Sequence, residues 1–267
     1  MAFPSFVVSK ESIFTCLILI MLPFHIAHNA QELGISAGKK AAALLKETIK
    51  QKGFANIILA TGTSQFETIQ QLISDPDIAW EHVQMFHLDE YIGLPITHKA
   101  SFRNYLNERF VYLVPTLKMA YLINGEIDPV AECDRLGALI QKHPIDVAMV
   151  GIGENGHLAF NDPPADFETE KPYLVVELDE ACRAQQMGEG WFESLDKVPQ
   201  KAISMSIKQI MKSTHIVCSV PDERKAQAVR DCLRSDISPL FPASILQAHP
   251  NCHLYLDTNS AKLLADA

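Results

Sequence analysis

Paired cysteines are absent from this chain. No two of the six cysteines among its 267 residues are spaced as Cys-x-x-Cys. That absence argues against zinc-ribbon and thioredoxin-like sites, which depend on such pairs. Cys218 and Cys252 lie in apolar surroundings, and we expect both to be buried free thiols.

Excess positive charge is missing as well. The formal net charge of −9 argues against nucleic acid as the main partner, because a basic surface supplies most of the affinity for a phosphate backbone. A phosphorylated small molecule stays compatible with this charge. A few backbone N–H groups and one or two cations are enough to bind it.

A long apolar run is also missing. The run 13–24 is shorter than the about 20 residues that a transmembrane helix needs. It suits the apolar part of a signal peptide, with Ala30 at a cleavage site, but Glu11 and His28 argue against that interpretation. Residues 1–30 are therefore a weak signal, an uncleaved anchor or an atypical, non-native start, and we favour the last. We expect a cytoplasmic protein without membrane contact, unless residues 13–24 act as an anchor.

The remainder of the chain, 31–267, contains no internal repeat and no break in composition, so we interpret it as one domain. Apolar segments of strand length alternate with segments of helical periodicity. This alternation predicts an α/β fold, a single doubly wound, Rossmann-like domain with a mostly parallel sheet covered by helices on both faces. The expected strands are 56–60, 83–88, 147–152, 173–178, 202–207, 215–220 and 254–256, and the expected helices include 31–51, 65–72, 101–112, 126–141 and 238–247.

Polar groups follow the apolar strand 147–152. The loop Gly153-Glu154-Asn155-Gly156-His157 and the nearby Asn161 and Asp162 place five groups that hold or move protons within nine residues. Open α/β sheets bind their ligands at the carboxyl ends of the strands. A lone histidine would suggest a solvated turn, but this density of polar groups favours a site.

Two other strand ends carry similar signals. Asp89 and Glu90 come directly after strand 83–88, and a small-residue turn, 61–64, joins strand 56–60 to a helix. That turn offers free backbone N–H groups to an anion, although it lacks the Gly-Lys-Ser/Thr ending of a phosphate-binding P-loop.

Two cations belong to the same pattern. Lys225 falls in the first turn of the helix after strand 215–220, where a cation opposes the helix dipole by roughly 0.3–1 kcal/mol. A bound anion would explain that placement. Arg183 lies in the weakly periodic segment 179–191, which we interpret as a mobile segment over the site.

Three stretches carry a family resemblance. Residues 86–95, 151–163 and 60–63 resemble the signature segments of the glucosamine-6-phosphate deaminase/isomerase family, and the likeness extends from residue 31 to the C-terminus. The related 6-phosphogluconolactonases share the Gly-x-Gly-x-x-Gly-His core but typically continue with Ala-Ser. Here Ala159 is followed by Phe-Asn-Asp-Pro, which is the deaminase form.

The resemblance implies conversion of glucosamine 6-phosphate and water to fructose 6-phosphate and ammonia, without cofactor or metal. Asp89 matches the family's base, which moves a proton from C2 to C1, and His157 matches the group that opens the sugar ring. Asn155 and Asp162 match positions beside the histidine. The substrate phosphate is expected on Thr61, Gly62 and Thr63 with Lys225, and Ser64 is a weaker candidate.

The chain departs from the family pattern at three places. Many members have Asp where this chain has Asn155, and Glu where it has Asp162; Asn cannot stabilise an imidazolium by charge. A further phosphate-binding arginine has no match before Trp191, and Arg183 is the substitute that we select. We expect the reaction to survive, with an altered rate, pH optimum or sugar preference.

Two alternatives stay open. A 6-phosphogluconolactonase-like hydrolase on the same fold would use His157 with water and would have little need for Asp89. A non-catalytic sugar-phosphate-sensing module would normally follow a helix-turn-helix, which residues 1–30 do not resemble. The family also includes trimers and hexamers, so a homo-oligomer is compatible with the sequence.

Overall fold

The computed structural model describes residues 22–264. Cys16 and most of the apolar run 13–24 therefore lie outside the described residues. Within the described range the strands are β1 (Phe24–Ala27), β2 (Ala55–Leu59), β3 (Val83–His87), β4 (Asp89–Tyr91), β5 (Met119–Tyr121), β6 (Val147–Val150), β7 (Tyr173–Glu177), β8 (Lys201–Met205), β9 (His215–Val220) and β10 (Cys252–Asp257).

Five of the seven described α-helices begin at a residue whose side chain accepts a capping hydrogen bond. The Asn29 side chain accepts a hydrogen bond from Glu32 N at the start of the first helix, and Gly53, with φ of 78°, ends it. The α-helices are α1 (Ala30–Lys52), α2 (Phe66–Ile73), α3 (Phe102–Arg109), α4 (Pro129–Ile140), α5 (Glu180–Gly188), α6 (Ile207–Met211) and α7 (Ala226–Arg234).

Seven strands form one parallel sheet in the order β1-β10-β9-β6-β2-β3-β5. The side chains of β2 point alternately to the two faces of the sheet. Ile57 and Leu59 pack on the face covered by α1 and α2, while Ile58 packs on the opposite face with residues of α4 and α7. This alternation buries both faces of the sheet. The predicted doubly wound α/β fold is confirmed.

Two predicted strands lie elsewhere than expected. β7 and β8 do not extend the parallel sheet; they form a separate antiparallel sheet with β4, in the order β4-β8-β7. The cause lies at Leu88, where the chain passes from β3 into β4 without a crossover helix, so that β4 leaves the main sheet. Met205 N donates to Leu88 O and fixes this small sheet against the end of β3.

The predicted helix 238–247 is wrong. Pro242 lacks the N–H group that a regular helix would need to bond Ser238 O. The segment Pro242–Ala248 instead forms 3₁₀ turns, and the Ser244 hydroxyl accepts a hydrogen bond from Ser238 N.

Residues that the sequence analysis places before the domain contribute to the sheet. β1 pairs in parallel with β10, with Phe24 opposite Leu254 and Ala27 opposite Asp257. β5, at the other edge, is a second strand that the sequence analysis did not include. No helix between residues 22 and 264 is long and apolar enough to cross a membrane.

Candidate active site

A cavity lies at the carboxyl ends of β2, β3, β6 and β9. It encloses about 530 Å³ of space, including solvent at its mouth. The loops after these strands supply one wall, and α5 supplies another. The cavity is lined in part by Thr61, Gly62, Thr63, Ser64, Asp89, His157, Gln185, Gln186, Glu189 and Lys225.

The turn after β2 forms an anion cradle, by which we mean residues 61–64. Within the described residues, none of their backbone N–H groups donates a hydrogen bond. Gly62 has φ of 93°, a conformation that other residues rarely adopt. The Tyr105 hydroxyl donates to Gly62 O at 3.1 Å and holds the turn from the outside. Four N–H groups therefore stay available to a ligand.

Lys225 closes the same end of the cavity. It ends a short 3₁₀ turn before α7 and is only 5% exposed. Burial lowers its pKa from the usual value, against the opposing effect of Glu189 and Glu154. No hydrogen bond or ion pair within 4.0 Å engages its ammonium group in the part of the chain that the structure describes. A buried cation of this kind is suited to bind an anionic ligand.

Asp89 and Glu90 have different environments. The Glu90 carboxylate accepts hydrogen bonds from Tyr91 N, the Ser101 hydroxyl, Phe102 N and Arg103 N, so it caps the start of α3. Asp89 lines the cavity, and no described residue donates a hydrogen bond to its carboxylate. Burial, with a smaller contribution from the charge of Glu90, raises the pKa of Asp89 to about 8. Such a carboxyl group is a strong base once it is ionised.

His157, Asp162 and Asn155 form a second polar cluster. His157 Nδ1 lies 3.1 Å from Asp162 Oδ1. The angle at this nitrogen is unsuitable for a hydrogen bond, and Nδ1 has no hydrogen-bond partner among the described residues. Asn155 Nδ2 bridges Asp162 Oδ1 at 3.0 Å and Asp179 Oδ2 at 3.1 Å, while Asn155 Oδ1 accepts from His157 N. Asn155 therefore positions the Asp162 carboxylate and the backbone of His157, and Asp162 contacts the imidazole ring of His157.

Asp162 is ionised in this arrangement. Burial pushes its pKa upward, but His157, Asn155 and the backbone N–H of Asp179 outweigh that effect and bring the pKa below its usual value. An ionised carboxylate beside Nδ1 stabilises a protonated imidazole. The charge that Asn155 cannot provide is thus supplied by Asp162.

The His157 ring depends on a glycine. A Cβ atom on Gly153 would lie 2.2 Å from ring atoms Cε1 and Nε2. Only a residue without a side chain allows this close approach. The loop after β6 therefore uses Gly153 to seat the imidazole in the cavity wall.

Arg183, the predicted substitute for a phosphate-binding arginine, does not join the cavity. Its guanidinium donates to Leu195 O and Val198 O, so it holds the segment that follows α5. The charged group that this region brings to the cavity is the carboxylate of Glu189.

The segment 179–191 contributes more than its weak periodicity indicates. The Asp179 side chain caps α5 at Cys182 N. Gln185 Oε1 accepts from Glu154 N at 2.8 Å, and Gln186 Oε1 accepts from the Tyr91 hydroxyl at 2.9 Å. These two glutamines line the cavity, and sequence reasoning missed them because their partners are distant in the chain.

Three potential metal ligands are close together in the described part of the chain. Donor atoms of His157, Asp162 and Cys182 lie within 4.8 Å of one another. Burial raises the pKa of the Cys182 thiol well above its usual value. Because metals bind the thiolate, this cluster fits a proton-carrying group better than a metal centre.

The fold and the site define an α/β protein that places an acid–base cluster beside an anion cradle. Comparison with known sequences gives the family. The chain belongs to the glucosamine-6-phosphate isomerases/6-phosphogluconolactonase family, whose sequence profile matches residues 28–254.

Individual relatives agree with this assignment. The chain is 34% identical over 231 residues to a glucosamine-6-phosphate deaminase of Listeria monocytogenes serotype 4a (strain HCC23), which covers 86% of this chain and 96% of the relative. A solved structure of a monomeric glucosamine-6-phosphate deaminase matches with a TM-score of 0.80 at 32% identity, covering 91% of this chain and all of that one.

A 6-phosphogluconolactonase from Shewanella baltica OS155 is more distant. Its structure matches with a TM-score of 0.72 at 20% identity and covers 88% of this chain and 97% of that one. At this identity the match shows the shared fold alone.

Proposed function

We propose that this protein converts glucosamine 6-phosphate and water to fructose 6-phosphate and ammonia. The observation that carries the proposal is Asp89, a buried carboxyl group without a hydrogen-bond partner in the described residues, in one cavity with His157 and the anion cradle. Two relatives of the chain, at 34% and 32% identity, are named glucosamine-6-phosphate deaminases.

Ring opening is the first step. The closed sugar needs a proton on its ring oxygen while the C1 hydroxyl loses one. His157 carries this proton, since an imidazole exchanges protons near neutral pH. Asp162, 3.1 Å from Nδ1, stabilises the charged ring before the proton leaves it.

Proton transfer follows between two carbons. Asp89 removes the proton from C2 of the open aldehyde, which gives an enolamine, and returns a proton to C1. The product is an imine at C2. Water adds to this carbon, ammonia leaves, and the ketone of fructose 6-phosphate remains. A pKa of about 8 gives Asp89 the basicity that proton removal from carbon requires.

The cradle fixes the substrate for both steps. The N–H groups of residues 61–64 and the Lys225 ammonium bind the phosphate, which orients C1 and C2 toward Asp89. Burial of the Lys225 ammonium strengthens its interaction with a dianion.

The lactonase alternative lacks a supporting observation. Hydrolysis of a lactone needs an activated water molecule but no transfer between carbons, so it would leave the partnerless carboxyl group of Asp89 without a role. The lactonase structure at 20% identity shares only the fold.

The test is the release of ammonia and fructose 6-phosphate from glucosamine 6-phosphate by purified protein. We expect equal amounts of both products, and a loss of about 10³-fold or more in kcat for Asp89→Asn. Glu90→Gln is unsuitable as a control because Glu90 caps α3; Glu193→Gln, an exposed carboxylate outside the cavity, is the matched one. Hydrolysis of 6-phosphogluconolactone without ammonia release would contradict the proposal.

A further inference from the structure

Glu189 is a carboxylate fixed on the cavity wall. It follows α5 directly, and its Oε1 accepts a hydrogen bond from Gln185 Nε2 at 2.9 Å. Its Oε2 accepts from Trp191 Nε1 at 3.2 Å. Two donors thus hold the charged group in one place, where it lines the same cavity as Asp89 and Lys225.

The Glu189 carboxylate lines the cavity together with the cradle and Lys225. Burial lowers the pKa of Lys225, and the charge of Glu189 opposes that effect. Burial raises the pKa of Tyr105, whose hydroxyl donates to Gly62 O, and the charge of Glu189 adds to that effect. Lys225 is the only lysine or arginine that lines this cavity among the described residues. A single cation and a nearby anion therefore share the site at which a phosphate would bind.

Helix stability does not explain this placement. Glu189 is the C-cap residue of α5, and a negative charge at a helix C-terminus opposes the helix dipole. The sequence thus keeps a carboxylate where the helix dipole disfavours one, and its position in the cavity that contains the anion cradle points to a role in ligand binding.

We propose that Glu189 weakens the binding of the substrate phosphate beside Lys225. The carboxylate lines the same cavity as the buried ammonium, without an ion pair within 4.0 Å in the described residues, and partly offsets the positive charge there. A phosphate that binds Lys225 is therefore repelled by Glu189. Glu189 therefore sets a low affinity for phosphate groups, and only a ligand whose sugar also contacts the cavity binds well. This inference rests on the proposed function, in which the cradle receives a phosphate.

The probe is inorganic phosphate, titrated into the full-length protein by calorimetry. The variants are Glu189→Gln, which keeps the shape and loses the charge, and Glu193→Gln, which removes an exposed carboxylate four positions along the chain. We expect Glu189→Gln to bind phosphate about tenfold or more tightly than the parent, because one half-buried like charge on the cavity wall is removed. Glu193→Gln should match the parent.

Kinetics separate this role from a structural one. For glucosamine 6-phosphate we expect KM to fall in Glu189→Gln by a factor similar to that in the phosphate Kd, with a smaller change in kcat. Glu189→Ala, which also loses both hydrogen bonds, should show the same direction of change. Thermal unfolding of each variant checks that the fold is retained.

The two experiments distinguish a failure of the Glu189 inference from a failure of the proposed function. Unchanged or weaker phosphate binding by folded Glu189→Gln would overturn the inference, and ammonia release by the parent would leave the proposed function standing. If neither the parent nor Glu189→Gln bound phosphate and the parent released no ammonia, both would fall.

Discussion

Asp89 and Glu90 are adjacent in sequence and differ in role because of their surroundings. Four donors satisfy Glu90, whereas Asp89 has no donor among the described residues and lines the cavity. The sequence predicted a carboxylate pair at a strand end and, from the family resemblance, selected Asp89. Three of the four bonds come from the start of α3 and its N-cap, more than ten residues away, and no local pattern indicates them.

The pKa of Asp89 predicts the pH dependence of the reaction. The base must be ionised, and its pKa is raised to about 8, so kcat/KM should rise with pH and level off above that value. Below it, the protonated fraction grows and activity falls about tenfold per pH unit. Initial rates between about pH 5 and about pH 9 measure this limb. A profile that is flat across the range would contradict the assignment of Asp89 as base.

The burial of Asp89 also lowers the free energy of unfolding at pH values where the unfolded chain would ionise this group. Because the folded-state pKa of Asp89 is raised from 3.8 to about 8, the folded protein binds more protons than the unfolded chain between these values. Its contribution to stability is therefore present below the unfolded pKa and is lost as the pH rises toward the folded one. Asp89→Asn should unfold at a higher temperature than the parent at about pH 8, and the difference should vanish near pH 4. Calorimetric scans of both proteins test this; equal midpoints at both pH values would contradict it.

Gly153 offers a matched test of the histidine. Gly153→Ala would place a methyl group 2.2 Å from the His157 ring, so the imidazole must leave its position. We expect a loss in kcat of about 10²-fold or more with the fold retained. Gly188→Ala is the control, since its added Cβ meets no atom within 4 Å in the described residues, apart from its chain neighbours and its own helix backbone. Equal kcat values for the two variants would show that the position of the His157 ring does not matter for the reaction.

At the scale of elements, two helices position the cradle. α1 and α2 cross closely at Gly34 and Gly38, where an added Cβ on Gly34 would lie 2.2 Å from Glu67 Cβ. Since α2 begins directly after residues 61–64, the packing of this pair fixes the turn that offers its N–H groups. Sequence periodicity predicted both helices but not their contact. Gly34 and Gly38 allow a close approach, but the sequence does not indicate which helix approaches them.

Gly34→Ala tests this contact. The overpacked crossing should lower the free energy of unfolding by about 1–3 kcal/mol, and a shifted α2 should raise KM more than it lowers kcat. Gly137→Ala in α4 is the matched control, because its added Cβ would make an ordinary van der Waals contact with Pro172 at 3.7 Å. Denaturant unfolding gives the stability, and a Gly34→Ala protein as stable as the control would contradict the model of packing.

The alternation of apolar and helical segments predicted the parallel sheet, since each crossover leaves a local pattern. It did not predict that β7 and β8 leave that sheet. Both have the length and composition of strands, and only the pairing of β8 with β4 and of β7 with β8 distinguishes them. β4 is three residues long, too short for a periodic signal. The separate sheet follows from long-range contacts, which explains why a single sequence did not reveal it.

At the scale of the molecule, β1 covers the edge of the sheet. It pairs with β10 along its full length, and Leu22 and Ala27 are each 5% exposed. Without it, β10 would present unpaired N–H and C=O groups, which favours association with other chains. The family match that begins at residue 28 leaves this strand out, although the sheet includes it.

Two truncated proteins isolate the contribution of β1. One lacks residues 1–21 and keeps β1; the other lacks residues 1–27 and loses it. We expect the longer truncation to unfold at a temperature lower by about 5 °C or more than the shorter one, because a buried leucine and a strand ladder worth about 2 kcal/mol or more are lost. It should also form more aggregate in light scattering, since the exposed edge of β10 can pair with other chains. Equal midpoints for the two proteins would mean that β1 adds nothing to the sheet, and the fold would then begin at α1.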